Sequence, residues 1–202
     1  VGSMLSGPLL SLISNAGDKV DSKLSAFNIL SSWYIGVIAA IPLLCFPELA
    51  QLIFGNDYGS HNFQITFALI VFCSAIIMFK EGLARVLAAN SLLWWAVLSN
   101  ALWAVILISA SIYFISWGSV GLAISLIIAY LVNTVIILPL YHSRNLIPMT
   151  TVLSYESLLI WTILCFLLVL NIMDVSILIR GLLFIPSLVV ATSMFRKVLR
   201  YA

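Results

Sequence analysis

The stretch that most constrains this chain is an apolar run from Phe63 to Ala89 with a charged step near its end. A helix rising 1.5 Å per residue needs roughly 20 apolar residues to cross a hydrocarbon core of about 30 Å. Phe63 to Phe79 carries no formal charge, and then Lys80, Glu81 and Arg85 follow, with Gly82 between them. At about 100° per residue, Glu81 and Arg85 stand one turn apart on one face and are expected to pair as i and i+4, whereas Lys80 projects away from Arg85. A charge in mid-membrane costs about 2.5–3.5 kcal/mol on insertion scales, so such groups usually face protein or a wet cavity. Two readings of Lys80 and Arg85 stand at this stage. They snorkel to the membrane boundary, or they line an internal cavity.

The rest of the chain is of the same kind. With 63% hydrophobic and 8% charged residues and a mean hydropathy of +1.20, it lies far outside the range of water-soluble domains. The expected architecture is an all-α polytopic membrane helix bundle. After an opening stretch, 1–14, that resembles the last turns of a hydrophobic helix, residues 15–23 form a polar loop holding Asp18, Lys19, Asp21 and Lys23. Complete spans are predicted at about 27–46, 63–89, 92–112, 120–140, 152–170 and 177–198. Leu49 to Phe54 is a short amphiphilic continuation of the first span, which Pro42 is expected to kink. Gly55-Asn56-Asp57-Tyr58-Gly59 is a strong turn signal. A division into 1–142 and a terminal helix pair, 143–202, follows from the polar loop around Arg144. The abrupt opening, with no signal peptide visible, suggests a piece of a longer chain.

Charge assigns the sides. Alternating loops place Lys19, Lys23, Lys80, Arg85, Arg144, Arg196, Lys197 and Arg200 on one face, leaving Arg180 alone toward the other among 9 lysines and arginines. By the positive-inside rule the first face, with the C-terminus, is cytoplasmic. Arg180 is expected to snorkel outward or to meet Asp174.

Chemical tools are missing. The sequence holds no nucleophile elbow, no zinc-protease helix and no phosphate-binding loop, so an enzyme is not expected. His61 and His142 fall in loops on opposite sides and read as interfacial residues. Glu48 and Asp57 are expected to cap the outer turn and short helix. Cys45, Cys73 and Cys165 stand singly in apolar runs and read as packing residues. No metal, cofactor or nucleic-acid partner is expected; membrane lipid is. Trp33, Tyr34, Trp94, Trp95, Trp117 and Tyr141 fall at span ends, as interfacial belts do. The small residues from Gly118 to Ala123 suit close helix packing, and Asn100 and Asn133 either bond across helices or line a polar lumen.

The order of several features resembles a known family. Pro8-Leu9-Leu10-Ser11 ends a helix before a polar loop, and Ile41-Pro42 leads through Pro47-Glu48-Leu49 to Leu52-Ile53-Phe54-Gly55-Asn56-Asp57-Tyr58. A polar step closes the next helix, and Gly118-Ser119-Val120-Gly121-Leu122-Ala123 sits between two later ones. This arrangement is similar to the C-terminal half of the flippases for lipid-linked oligosaccharide, the O-antigen and polysaccharide exporters related to MATE-type multidrug exporters. The resemblance implies a chain beginning in the eighth helix of a two-lobed transporter of the bacterial inner membrane, with an N-terminal lobe elsewhere in the same polypeptide. It implies an undecaprenyl (isoprenoid) pyrophosphate bearing a sugar unit as the cargo. Lys80 and Arg85 are then cavity cations, with Asn100 and Asn133 as further cavity candidates, and Glu81 is a candidate for ion coupling. The alternatives are a drug or small-solute exporter of the same superfamily, a membrane enzyme of polysaccharide assembly, and a non-transport membrane subunit. The short loops speak against the enzyme.

Overall fold

The computed structural model describes residues 22–55, 58–146 and 153–199. The opening stretch, the polar loop before Ser22, Asn56 and Asp57 of the turn, and Arg200 lie outside them. Among the described residues seven α-helices follow in order: α1 (Ser22–Cys45), α2 (Leu49–Phe54), α3 (His61–Ala89), α4 (Leu93–Tyr113), α5 (Gly118–Ser143), α6 (Tyr155–Ile172) and α7 (Ile177–Leu199). A 3-10 turn, Ile115–Trp117, joins α4 to α5. Six of the helices are long and apolar enough to cross a membrane, and α2 is the exception. The chain is thus an all-α bundle of the multi-pass membrane type, and each predicted span has its helix.

The helix ends have local causes. Ser60 caps α3 by accepting from the Phe63 amide at 3.4 Å, and Ser154 caps α6 by accepting from the Ser157 amide at 3.3 Å. Gly118 opens α5 with φ +56°, a left-handed conformation that costs glycine little. Three residues on, Gly121 packs under that turn so closely that a Cβ there would fall 2.1 Å from the Phe114 carbonyl oxygen. The small-residue stretch therefore folds the chain tightly back on itself between α4 and α5.

The core gathers around α1. Ile29, Trp33, Val37, Ile41 and Leu44 are buried along it, against Phe72, Ile76 and Phe79 of α3, Ile160, Leu164 and Leu167 of α6, and Ala191 and Val198 of α7. The terminal helix pair thus packs into the same core as the preceding helices. Trp33 stacks within 5.1 Å of Trp161 and 6.0 Å of Phe79, measured between ring centroids, and Tyr34 lies 6.1 Å from Phe195. Trp33 and Tyr34 were expected at the membrane boundary. Instead they are 0% and 1% exposed, because α1 begins five residues earlier than the apolar run suggests and so places them about three turns inside, against α3, α6 and α7. Tyr141 is buried as well, while Trp94 and Trp117 are exposed at helix ends, as belt residues are.

α5 packs on α3, and α4 packs on α5 from outside. Most of α4 therefore faces away from the protein: Val97, Val105, Ile108 and Ile112 are all exposed. Cys45 and Cys73 are buried and Cys165 is exposed.

Candidate functional site

α3 is 29 residues long, which is about 44 Å and roughly 14 Å longer than the hydrocarbon core. A helix of that length centred in a bilayer carries Arg85 near the boundary and Lys80 one to two turns beneath it. Length alone thus favours an internal role for Lys80, and the packing decides between the two cations.

Arg85 turns into the contact between α3 and α1. Its Nε donates to Asn28 Oδ1 at 2.8 Å, and its Nη2 donates to Ser32 Oγ at 2.5 Å and to the Asn28 carbonyl at 3.1 Å. Asn28 in turn donates from Nδ2 to the Gly82 carbonyl at 3.1 Å. The helices touch backbone to backbone here, since a Cβ on Gly82 would fall 2.6 Å from Ile29 Cα. Two expectations are overturned at once. Arg85 neither pairs with Glu81 nor faces a cavity: the close approach at Gly82 brings buried carbonyl and amide acceptors within its reach, and a planar fork of donors matches them. Asn28 and Ser32 escaped the sequence reading. Their signal is a polar pair four residues apart at the start of an apolar helix, on the face opposite the charged step.

Lys80 goes the other way. With Glu81 it lines a pocket of about 460 Å³ between α3, α4 and α5, whose wall includes Ser99, Asn100, Trp103 and Tyr130. Lys80 Nζ donates to Asn133 Oδ1 and stands 5.4 Å from the Tyr130 ring centroid. Asn133, fully buried, is itself fixed: its Nδ2 donates to the Ser99 carbonyl at 2.8 Å, and Ser99 Oγ donates to its Oδ1 at 3.2 Å. The Ser99 pair therefore sets which end of the amide faces the ammonium. Among the described residues neither Lys80 nor Glu81 makes an ion pair. Trp103 carries an indole N–H that is buried with no acceptor. The pocket thus offers an ammonium, a carboxylate, an amide and an aromatic wall to whatever enters it. Of the residues singled out from sequence, Lys80, Glu81 and Asn100 line it, Asn133 supports it from behind, and Arg85 is outside it.

A second arginine is spent at the opposite end. Arg180, 5% exposed, is ion-paired with Glu48 and donates to Asn171 Oδ1 at 2.8 Å and to the Val175 carbonyl at 2.9 Å. Asn171 Nδ2 closes the cluster on the Leu44 carbonyl at 2.6 Å. Arg180 therefore does not snorkel and does not meet Asp174, which lies 4.0 Å from His61 Nδ1. Glu48 precedes α2 but makes no side-chain cap, because its carboxylate is held by the arginine. The cluster ties the end of α1 to α6 and α7 through groups separated by more than a hundred residues in sequence.

Within the all-α membrane class, the described residues form a bundle that holds a polar concavity between α3, α4 and α5. No family model, no curated protein and no solved structure matches the chain.

Proposed function

We propose that this chain forms one lobe of an exporter that moves an isoprenoid-pyrophosphate-linked oligosaccharide across a bacterial inner membrane, working with a second lobe. The observation that carries the reading is Lys80. It is a cation held beneath the membrane boundary by neutral groups, Asn133 and the Tyr130 ring, rather than by a carboxylate. An intramembrane charge left without a counter-ion is costly and is usually retained for a ligand or a path. A pyrophosphate passing the pocket would supply the missing anion, and the exposed Asn100 amide offers a donor to phosphate or sugar oxygens. Transporters commonly place such sites among packed helices near mid-membrane and expose them by rocking one lobe against another.

The test is a chromosomal Lys80→Ala allele scored for membrane abundance and surface glycan together. Abundance is expected to hold while glycan falls, and Lys80→Arg is expected to keep much of the activity. Wild-type glycan in Lys80→Ala would overturn the reading. One observation favours a second reading: Glu81, also unpaired in the pocket, suits a cation-coupled exporter of small solutes. In that case Glu81→Gln would abolish efflux of a cationic dye from vesicles carrying an ion gradient, while glycan export would be unaffected.

A further inference from the structure

α2 is too short to span a membrane, yet it ends in three successive apolar residues that the described protein does not cover. Leu52, Ile53 and Phe54 are 82%, 66% and 55% exposed. At about 100° per residue they fan over roughly 200° of the helix. That is about twice the roughly 100° stripe by which a helix packs on its core. The root of α2 is fixed by contrast. Ala50 is buried, and Glu48, just ahead of the helix, is ion-paired with the buried Arg180 of α7. α2 is therefore held at its start and presents its tip.

That tip lies at the level of the membrane boundary, at the end of the bundle opposite Lys80. The overhang of α3, shared equally between its ends, puts Phe63 about 4 Å outside the hydrocarbon core and Phe67 about 2 Å inside it. Between ring centroids, Phe54 stands 6.2 Å from Phe63 and 5.9 Å from Tyr58, and Tyr58 stands 4.9 Å from Phe63. Phe63 in turn stands 6.4 Å from Phe67. The cluster straddles the boundary, where aromatic side chains collect. α7, about 35 Å long, reaches the same level, and Leu178 in its first turn is exposed there. Depth is limited from both sides. No charged residue lies between Leu49 and Phe54, so nothing in the helix holds the tip out in water. At Gly55, φ +103°, the chain leaves helical geometry, and lipid-exposed backbone of that kind is not found within the hydrocarbon core.

We propose that α2 is an interfacial anchor whose partner is the lipid surface itself. Leu52, Ile53 and Phe54 insert between the headgroups and the upper acyl carbons of the nearer leaflet, and the pair of Glu48 and Arg180 ties that insertion to α7. Interfacial helices sink about 5–10 Å into this zone, which the aromatic cluster marks. The width of the exposed fan selects lipid over a docked helix, because a fluid boundary can surround the tip whereas one helix covers a single side of it.

The test uses the whole chain in nanodiscs, with Cys165→Ser removing the exposed native thiol while Cys45 and Cys73 stay buried. Ile53→Cys carries an environment-sensitive fluorophore. Its quenching is compared for phospholipids spin-labelled high on the acyl chain, for the same lipids labelled low on the chain, and for iodide in the water. The high label is expected to quench at least about twofold more than the low one, and iodide only weakly, as for a group at the acyl boundary. Val105→Cys, exposed near the middle of α4, is the comparator and is expected to show the reverse order of the two lipid labels. Leu52→Cys repeats the measurement so that a fluorophore disturbing position 53 does not decide it. Strong iodide quenching at both α2 positions would place the tip in water and overturn the anchor. Stronger quenching by the low label would make α2 re-entrant and overturn it too. Protection from lipid and iodide alike would mean that protein, a second copy included, covers the tip, and would also overturn it. None of these outcomes involves Lys80, so the export reading stands or falls on the glycan assay alone.

Discussion

α1 and α4 have nearly the same hydropathy, 1.7 and 1.8 over their most apolar windows, yet 61% of the first window is buried within the protein and only 6% of the second. The difference lies in what interrupts the apolar residues. α1 carries Asn28 and Ser32 on the face that meets Arg85, and its last carbonyls are met by Asn171. In lipid there is no hydrophobic force between helices, so polar groups and close small-residue contacts decide which helix goes inside. α4 offers Ser99 and little else to its neighbours, and it remains at the periphery with the pocket beneath it. The chain thus has a clamped block of α1, α3, α6 and α7, with an arginine cluster near each end, and a peripheral α4–α5 hairpin beside a lysine.

Breaking a clamp should have the largest effect. Arg180→Met strips the partly exposed Glu48 and the buried Asn171 of their partner; removing one member of a fully buried charge pair costs about 3–5 kcal/mol, the upper bound for this one. Folded protein recovered in size-exclusion chromatography should fall sharply, and Glu48→Gln combined with Arg180→Gln should recover part of it. Normal yield for Arg180→Met would make the two regions equivalent. Arg85→Gln should follow the same pattern, in contrast to Lys80→Gln, which should leave yield unchanged.

A sharper test uses two glycines of the clamped block. Gly82→Ala drives a methyl into the Ile29 backbone, an overpacking expected to cost about 1–3 kcal/mol. Gly36→Ala meets Met78 at its Cγ (2.8 Å) and at its backbone-anchored Cβ (3.1 Å), a milder clash than one with the backbone itself, and should cost less than Gly82→Ala. Thermal unfolding in detergent should separate the two; equal shifts would mean that α1 and α3 are not in backbone contact at Gly82.

In the α4–α5 region, Asn133→Leu removes the acceptor of Lys80 and both bonds to Ser99, while Asn133→Asp keeps an acceptor and adds a counter-charge. Binding of pyrophosphate should be weaker in Asn133→Asp than in Asn133→Leu, because the new carboxylate competes for the ammonium. The smallest effect belongs to the exposed pair of Lys197 and Glu156 at 3.6 Å. Such pairs contribute about 0–1 kcal/mol, so Lys197→Ser should leave yield and melting temperature close to wild type.

The sequence by itself determined the number and placement of the described spans, because a run of about 20 apolar residues has one favourable arrangement in a bilayer whatever lies beside it. It also determined that Lys80 and Glu81 would be the unusual residues, since charge within such a run is visible at once. What only the tertiary structure decided was where each polar side chain turns. Arg85 and Lys80 look alike in the sequence, five residues apart on one helix. Arg85 meets Asn28, 57 residues away in the chain, beside the close contact at Gly82, whereas Lys80 meets Asn133 and a pocket. Arg180 and Asp174 look like neighbours, yet the carboxylate that reaches the arginine is Glu48, 132 residues distant in the chain. Hydropathy is a sum over one segment, but hydrogen bonding in an apolar medium is settled by which donors and acceptors other segments bring within 3 Å, and that depends on how the helices pack.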